Sequence, residues 1–140
     1  MVDNKKISQW SLTLLRIVIG IIFLYHGYLK LFVPGEFSGT VDFFAKIGMV
    51  APKASALAAS SAEFFGGLFL ILGVATRWTT FALIFEMLVA FFAVHSKNGL
   101  LVSNGGYEFV LLILAALLVT HINGAGKISL GKLFKSKHLQ

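Results

Sequence analysis

The sequence predicts an all-α membrane protein: a four-transmembrane-helix bundle with a short amphipathic helix in its first outer connection. Three observations predict it. Composition is the first: 57% of residues are hydrophobic, 13% are charged and mean hydropathy is +0.86, whereas a soluble domain averages roughly 25% charged. Second, apolar stretches occupy 11–32, 56–74, 78–94 and 107–122. Each is near the ~20 residues that cross ~30 Å of hydrocarbon, the last two at the short end. Third, three of the six acidic residues, Glu63, Glu86 and Glu108, lie inside these stretches. Ionisable groups in lipid are costly and face a protein interior, where they mark sites of function.

The first stretch is too long for the apolar core of a cleaved signal peptide, and no small-x-small cleavage site follows it, so it is expected to remain as a helix. Its polar and small residues, Arg16, Gly20, Phe23, Gly27 and Lys30, recur at helical spacing with His26 beside them. The connection 33–55 opens with Pro34-Gly35, a turn signal. Phe37, Val41, Phe44 and Ile47 then recur at helical spacing, which predicts an amphipathic helix lying on the outer surface or capping the bundle, ended by Gly48 and Pro52. The second span carries Glu63, Gly67, Leu70 and Val74 on one stripe. The very short connection 75–77 makes a tight hairpin with the third span, whose stripe is Thr79, Ala82, Glu86, Ala90 and Ala93. A compact, glycine-rich outer loop is expected over 95–106. The fourth span shows Glu108, Leu112, Ala115, Val119 and Ile122. Glycine and alanine on these faces let backbones approach closely in lipid. The spans form no separate soluble unit, so one transmembrane domain is expected over 11–122, between a tail at 1–10 and a basic tail at 123–140.

The net charge of +6 reads as topology rather than as a nucleic-acid surface. Lys5, Lys6, Arg77, Lys127, Lys132, Lys135 and Lys137 fall on one side, against Lys46, Lys53 and Lys97 on the other. The positive-inside rule places both termini in the cytoplasm of a multi-pass cell-membrane protein, with the basic tail on anionic headgroups. Trp10 and Trp78 fall at the same interface, as belt aromatics do. The chain has no cysteine, which excludes disulfide exchange, thiolate nucleophiles and cysteine-ligated iron–sulfur clusters. Redox work would need a bound cofactor, a metal held by His and Glu, or a partner.

At ~1.5 Å per residue, His26, Lys30, Glu63, Glu86, Glu108 and His95 share the outer half of the bundle. Arg16 and His121 lie toward the cytoplasm. Two bases, three acids and a histidine are close to neutral together, which burial requires. One reading is that they glue the helices in register. Another is that Glu108, Lys30 and Arg16 snorkel to the interface. The third is a site for a polar headgroup, a quinone carbonyl or protons. His26 and His95 fall at similar depth on separate helices, as two axial haem ligands would, but nothing else supports haem. The Glu-x-x-His pair of a di-iron bundle is absent from the sequence, and no metal site is expected.

These residues resemble the DoxX family of small four-helix bacterial and archaeal membrane proteins. The resemblance runs through Leu15-Arg16, Gly20, Phe23, His26-Gly27, Lys30-Leu31, Glu63, Gly66-Gly67, Leu70, Gly73 and Arg77. It continues in Gly105-Gly106-Tyr107-Glu108 and the closing Gly124-Ala125-Gly126-Lys127-Ile128-Ser129-Leu130. The family's closing motif usually ends in aspartate, where Gly131 stands here, and Ala125 replaces a common proline. The resemblance implies membrane subunits of quinol oxidase and thiosulfate:quinone oxidoreductase systems, and links with quinone, thiol or oxidative stress. Arg16, His26, Lys30, Glu63, Arg77 and Glu108 match the family pattern; Glu86 rests on its position alone.

The expected function is a redox-associated membrane protein, at most an oxidoreductase subunit needing a partner or bound cofactor, with a quinone-like ligand in the outer half. His26 would donate to a carbonyl oxygen, Glu63 would orient His26, Glu86 would stand behind, and Lys30 would stabilise negative charge. Glu108, Arg16, Arg77 and His95 complete the candidates. The alternatives are a non-enzymatic scaffold for soluble redox or stress enzymes, or a small transporter or lipid-binding module. The expected partners are the bilayer and a soluble redox enzyme or second membrane subunit, with no nucleic acid; a homo-oligomer is allowed.

Overall fold

The computed structural model describes residues 4–133; the expectations for Lys135, Lys137 and the rest of 134–140 lie outside the described residues. Regular structure among the described residues is helical throughout: α1 (Asn4–Phe32), α2 (Glu36–Lys46), α3 (Pro52–Leu72), α4 (Thr76–Ala90), α5 (Glu108–Asn123) and a short α6 (Leu130–Leu133). α4 runs on as a π turn at Phe91–His95 and a 3-10 turn at Ser96–Asn98. Ile7–Phe32, Pro52–Leu72 and Thr76–Asn98 are long and apolar enough to cross a membrane, and α5 is a shorter apolar helix. The chain is a multi-pass, all-α membrane protein.

The first helix starts at Asn4, seven residues before the expected apolar boundary, because polar residues continue a helix once its first turn is formed. α2 forms where the periodicity of Phe37, Val41 and Phe44 placed it. Its end is a Schellman pair: Gly48 N–H reaches Ala45 O at 3.1 Å and Met49 N–H reaches Phe44 O at 3.0 Å. α3 opens on Pro52 in its first turn, where the missing N–H costs nothing. It closes the same way as α2, with Gly73 at φ +70 and Val74 N–H on Phe69 O at 3.0 Å.

α1 packs most extensively on α3, and glycine makes that possible. A Cβ on Gly67 would strike the backbone of Leu24 and Gly20, and one on Gly27 would strike the backbone of Phe64. The two helices therefore touch backbone to backbone. α4 lies against α3 and α5, and the side chain of Leu83 packs over Gly66, where a Cβ would stand 3.2 Å from it. Ile19, Phe23, Leu70, Leu83, Ile113 and Leu117 form the core across these four helices.

The rotation of α5 differs from expectation. Its buried residues are Val110, Ile113, Leu114, Leu117 and Thr120. Leu112 and Ile122, expected inside, are 64% and 70% exposed. The helix is apolar all round, so its sequence carries no rotational signal, and the inward placement of Glu108 set the wrong face.

One end of the bundle, the base, holds the start of α1, the 73–75 turn and the C-terminal segment. Arg16 is buried there. Nη1 donates to Leu70 O and, at 3.2 Å, to Ile71 O, while Nη2 donates to Ile128 O at 2.6 Å. The guanidinium thus satisfies the last carbonyls of α3 and ties them to the C-terminal segment. Residues 124–131 do not hang free. Lys127 N–H bonds Thr13 Oγ1 at 2.7 Å, and Ser129 Oγ donates to Gly73 O at 2.6 Å. The opposite end, the crown, holds α2 and the 99–107 loop.

Candidate functional site

A cavity of about 750 Å³ occupies the crown half of the bundle, within the ~300–1,000 Å³ typical of ligand pockets. Its wall is mostly apolar, from alanines of α3 and α4 to phenylalanines of α2, α4 and α5. Phe43 and Phe44 of α2, with Ile47 and Met49 just after it, form its cover. The polar groups in the wall are His26, Lys30, Ser55, Glu63, Glu86 and His95.

Lys30 and Glu63 make the central interaction. Nζ donates to both carboxylate oxygens at 2.7 Å, with Glu63 7% and Lys30 29% exposed at the side chain. The pair joins α1 to α3 just beyond the Gly27–Phe64 contact, so the backbone approach that glycine allows also brings the charges together. Glu86 of α4 stands beside Glu63, within hydrogen-bonding reach of its carboxyl group and in the field of Lys30. Its Oε2 is buried and has no hydrogen-bond partner. One ammonium thus stands against two carboxyl groups in an apolar wall.

His26 lines the cavity and is exposed, with its ring edge-on to Tyr25 at 6.3 Å. It does not hydrogen-bond Glu63. The expected His26–Glu63 pair is replaced by Lys30–Glu63: lysine's long stem reaches the carboxylate from one turn away and satisfies both oxygens. His95 belongs to the π turn at the end of α4, a widening that often marks functional sites. Its Nδ1 lies 2.6 Å from Gly105 O. A carbonyl only accepts, so Nδ1 carries the hydrogen and Nε2 is the ring nitrogen left uncommitted.

Three sequence candidates stand elsewhere. Glu108 caps the outer loop, accepting from Val102 N–H at 2.5 Å, and does not line the cavity. Arg16 is the tie at the base, and Arg77 is exposed in the first turn of α4. Sequence reasoning missed the π turn, for which periodicity gives no signal. The cover by α2 is the second of the two placements expected for that helix, a cap on the bundle. A second polar link, Thr80 Oγ1 to His121 Nδ1 at 3.0 Å, joins α4 to α5 near the base. Among the described residues no group of His, Asp and Glu could hold a metal ion.

The chain spans 44% of the length of one Haemophilus influenzae (strain ATCC 51907 / DSM 11121 / KW20 / Rd) relative named "Uncharacterized protein". That match is 38% identical over 66 residues and covers 47% of this chain. A second protein of that organism with the same name is 34% identical over 141 residues, covering 98% of this chain and 100% of the relative. The Bacillus subtilis (strain 168) protein named "Putative oxidoreductase CatD" is 31% identical over 110 residues, 79% of this chain and 77% of its own length. No solved structure matches significantly. The family model DoxX matches residues 11–96, a stretch that carries His26, Lys30, Glu63, Glu86 and His95. Glycine-packed helices, a polar trio in an apolar cavity and that match agree: the chain belongs to the DoxX family.

Proposed function

We propose that this protein is a redox-associated membrane protein that binds a quinone-like lipophilic ligand in the crown cavity. The observation that carries the reading is an ion pair, a second carboxyl group and two histidines in the wall of an otherwise apolar chamber built on membrane helices. Ring and tail match the apolar wall; ring oxygens need a few fixed polar partners. His26, free of other hydrogen bonds, donates to one carbonyl oxygen. His95, fixed through Nδ1, offers Nε2 to a hydroxyl of the reduced ring. The trio of Lys30, Glu63 and Glu86 sets an ammonium and two carboxyl groups nearby. A relative named for an oxidoreductase supports the redox direction. Electrons come from a soluble redox enzyme or second membrane subunit, since the chain has no cysteine to carry them.

In this reading all four apolar helices span the bilayer. The 16 residues of α5 rise ~24 Å, and the 99–107 loop completes the crossing at the crown. The base faces the cytoplasm, where Arg77, Lys127, Trp10 and Trp78 are all exposed. The cavity therefore lies in the outer half, beneath α2 at the outer surface. A cysteine placed at Ser38 reacts with an impermeant maleimide in whole cells under this orientation, and one at Lys127 does not; the opposite labelling pattern inverts it.

The direct test is quinone binding by the purified chain. Mass spectrometry of an organic extract identifies any co-purified quinone, and decylubiquinone titrated into the detergent-solubilised protein gives the affinity. His26→Gln should weaken binding by roughly 3- to 10-fold, the worth of one hydrogen bond. A wild-type protein that carries no quinone and binds none up to the solubility of the probe overturns the reading.

A further inference from the structure

The cavity has a side as well as a cover. α3 and α4 leave the base together through the 73–75 turn and touch where Leu83 packs on Gly66. From that contact toward the crown, Ala58 and Ala62 of α3 and Val89 of α4 line the cavity, with Ala82 beside Leu83 at its lower end. Phe81 and Phe85 also line it, yet they are 63% and 66% exposed. A side chain that belongs both to a cavity wall and to the outer surface marks a rim. Both helices are long and apolar enough to cross a membrane, so the surface outside this rim meets hydrocarbon rather than water.

We propose that the cavity opens sideways into the bilayer through a slit between α3 and α4, and that its ligand enters polar head first and leaves its hydrocarbon tail in the slit. The proposal rests on the ligand site read above in the same cavity. Three features of the slit carry it. Its sides are mostly alanine, Ala58, Ala62 and Ala82 with Val89, which leaves width for a chain to lie between the helices. Its edge is aromatic and apolar, so a tail crossing it keeps hydrocarbon around it throughout. Entry from the aqueous side past α2 would expose that tail to water, at a cost that grows with every methylene. The polar groups His26 and Lys30 line the cavity from α1, which is not part of the slit. The ligand class is thus a membrane-resident amphiphile with a compact, hydrogen-bonding head and one slender tail.

The test uses the full chain in lipid nanodiscs with two probes, decylubiquinone and its tail-less dimethoxy-methyl-benzoquinone counterpart. Ala58→Trp and Ala82→Trp put bulk at the rim; Phe85→Ala removes it. Tryptophan at either alanine should slow association of decylubiquinone by about 10-fold or more while the tail-less probe keeps its wild-type affinity, and Phe85→Ala should speed association, as expected of a gate rather than a contact. Wild-type rates for decylubiquinone in all three variants overturn the slit and leave the cavity site standing. Should the tryptophan variants lose both probes, Phe85→Ala decides, because it cannot fill the cavity: an unchanged rate there overturns the slit. A wild-type chain that binds neither probe overturns the ligand site and this proposal together.

Discussion

Changing Lys30 to methionine tests the buried pair most directly. Methionine keeps the unbranched stem and its packing and removes the ammonium that both oxygens of Glu63 accept from at 2.7 Å. Breaking a buried ion pair from one side costs about 3–5 kcal/mol, because the remaining charge is left without its partner. Two features of this site set where in that range it falls. Lys30 is 29% exposed, which weakens the pair through solvent screening. Glu86 beside Glu63 raises the cost, since lysine alone opposes two carboxyl groups. The first effect dominates at the crown end, so a loss of about 3 kcal/mol is expected, roughly a hundredfold in the folding equilibrium. Lys30→Met with Glu63→Leu removes both charges and should recover most of that loss, leaving the double variant within about 1 kcal/mol of wild type. Melting in detergent, followed by circular dichroism, reads the four corners of the cycle, and decylubiquinone binding is read on the same samples. Structural glue alone predicts that the double variant is stable and binds normally. The proposed site predicts that it is stable and binds poorly. Additive losses in the cycle would refute the pairing itself.

The helix contact makes a second prediction: Gly67→Ala should destabilise by about 2–3 kcal/mol, because the new Cβ meets backbone atoms of Gly20 and Leu24 that cannot step aside. Gly39→Ala in α2, with nothing within 4 Å, should instead gain about 0.5–1 kcal/mol, and equal melting temperatures for the two variants would sink the account of α1–α3 packing. At the base, Arg16→Lys keeps the charge but cannot span α3 and Ile128 O as the fork does, so one or more buried carbonyls lose their donor at about 1–3 kcal/mol. Trypsin should then cut at Lys127 faster than in wild type; unchanged cleavage and melting would show that the tie carries no weight.

What was legible in the sequence follows from how much each residue constrains its neighbours. The α1 stripe could be read because Arg16, Gly20, Gly27 and Lys30 are each intolerant of lipid or of a bulky neighbour, so four independent residues agree on one face. α5 could not, because leucine, isoleucine and valine are equally content on every side of a helix in hydrocarbon. Thr120, buried and donating to Ala116 O at 2.9 Å, was the surviving clue to its inner face. Depth from rise per residue brought Glu63, Glu86, His26 and Lys30 to one level but resolves only about a turn. Lysine's stem is about that long, so Lys30 rather than His26 reached Glu63. The segment 124–131 read as part of a basic tail because of Lys127, Lys132, Lys135 and Lys137. Its glycines and Ser129 instead fold it under the bundle, a long-range contact that no local pattern encodes.

The polar residues inside this membrane protein divide by what surrounds them. At the base, Arg16 is enclosed by peptide carbonyls that must have donors wherever they lie; its partners are backbone, and replacing them with anything else would leave helix ends unpaired. Such a residue is explained by the fold alone. At the crown, Lys30, Glu63 and Glu86 satisfy mainly one another, and no backbone group requires them. Deleting all three would leave no carbonyl or amide unpaired, and the Gly27–Phe64 contact already holds α1 to α3 without their help. A group that the fold does not need, placed where burial makes it costly and beside a chamber of about 750 Å³, supports the proposed ligand site there. This asymmetry, more than the number of charges, separates the tie at the base from the site at the crown.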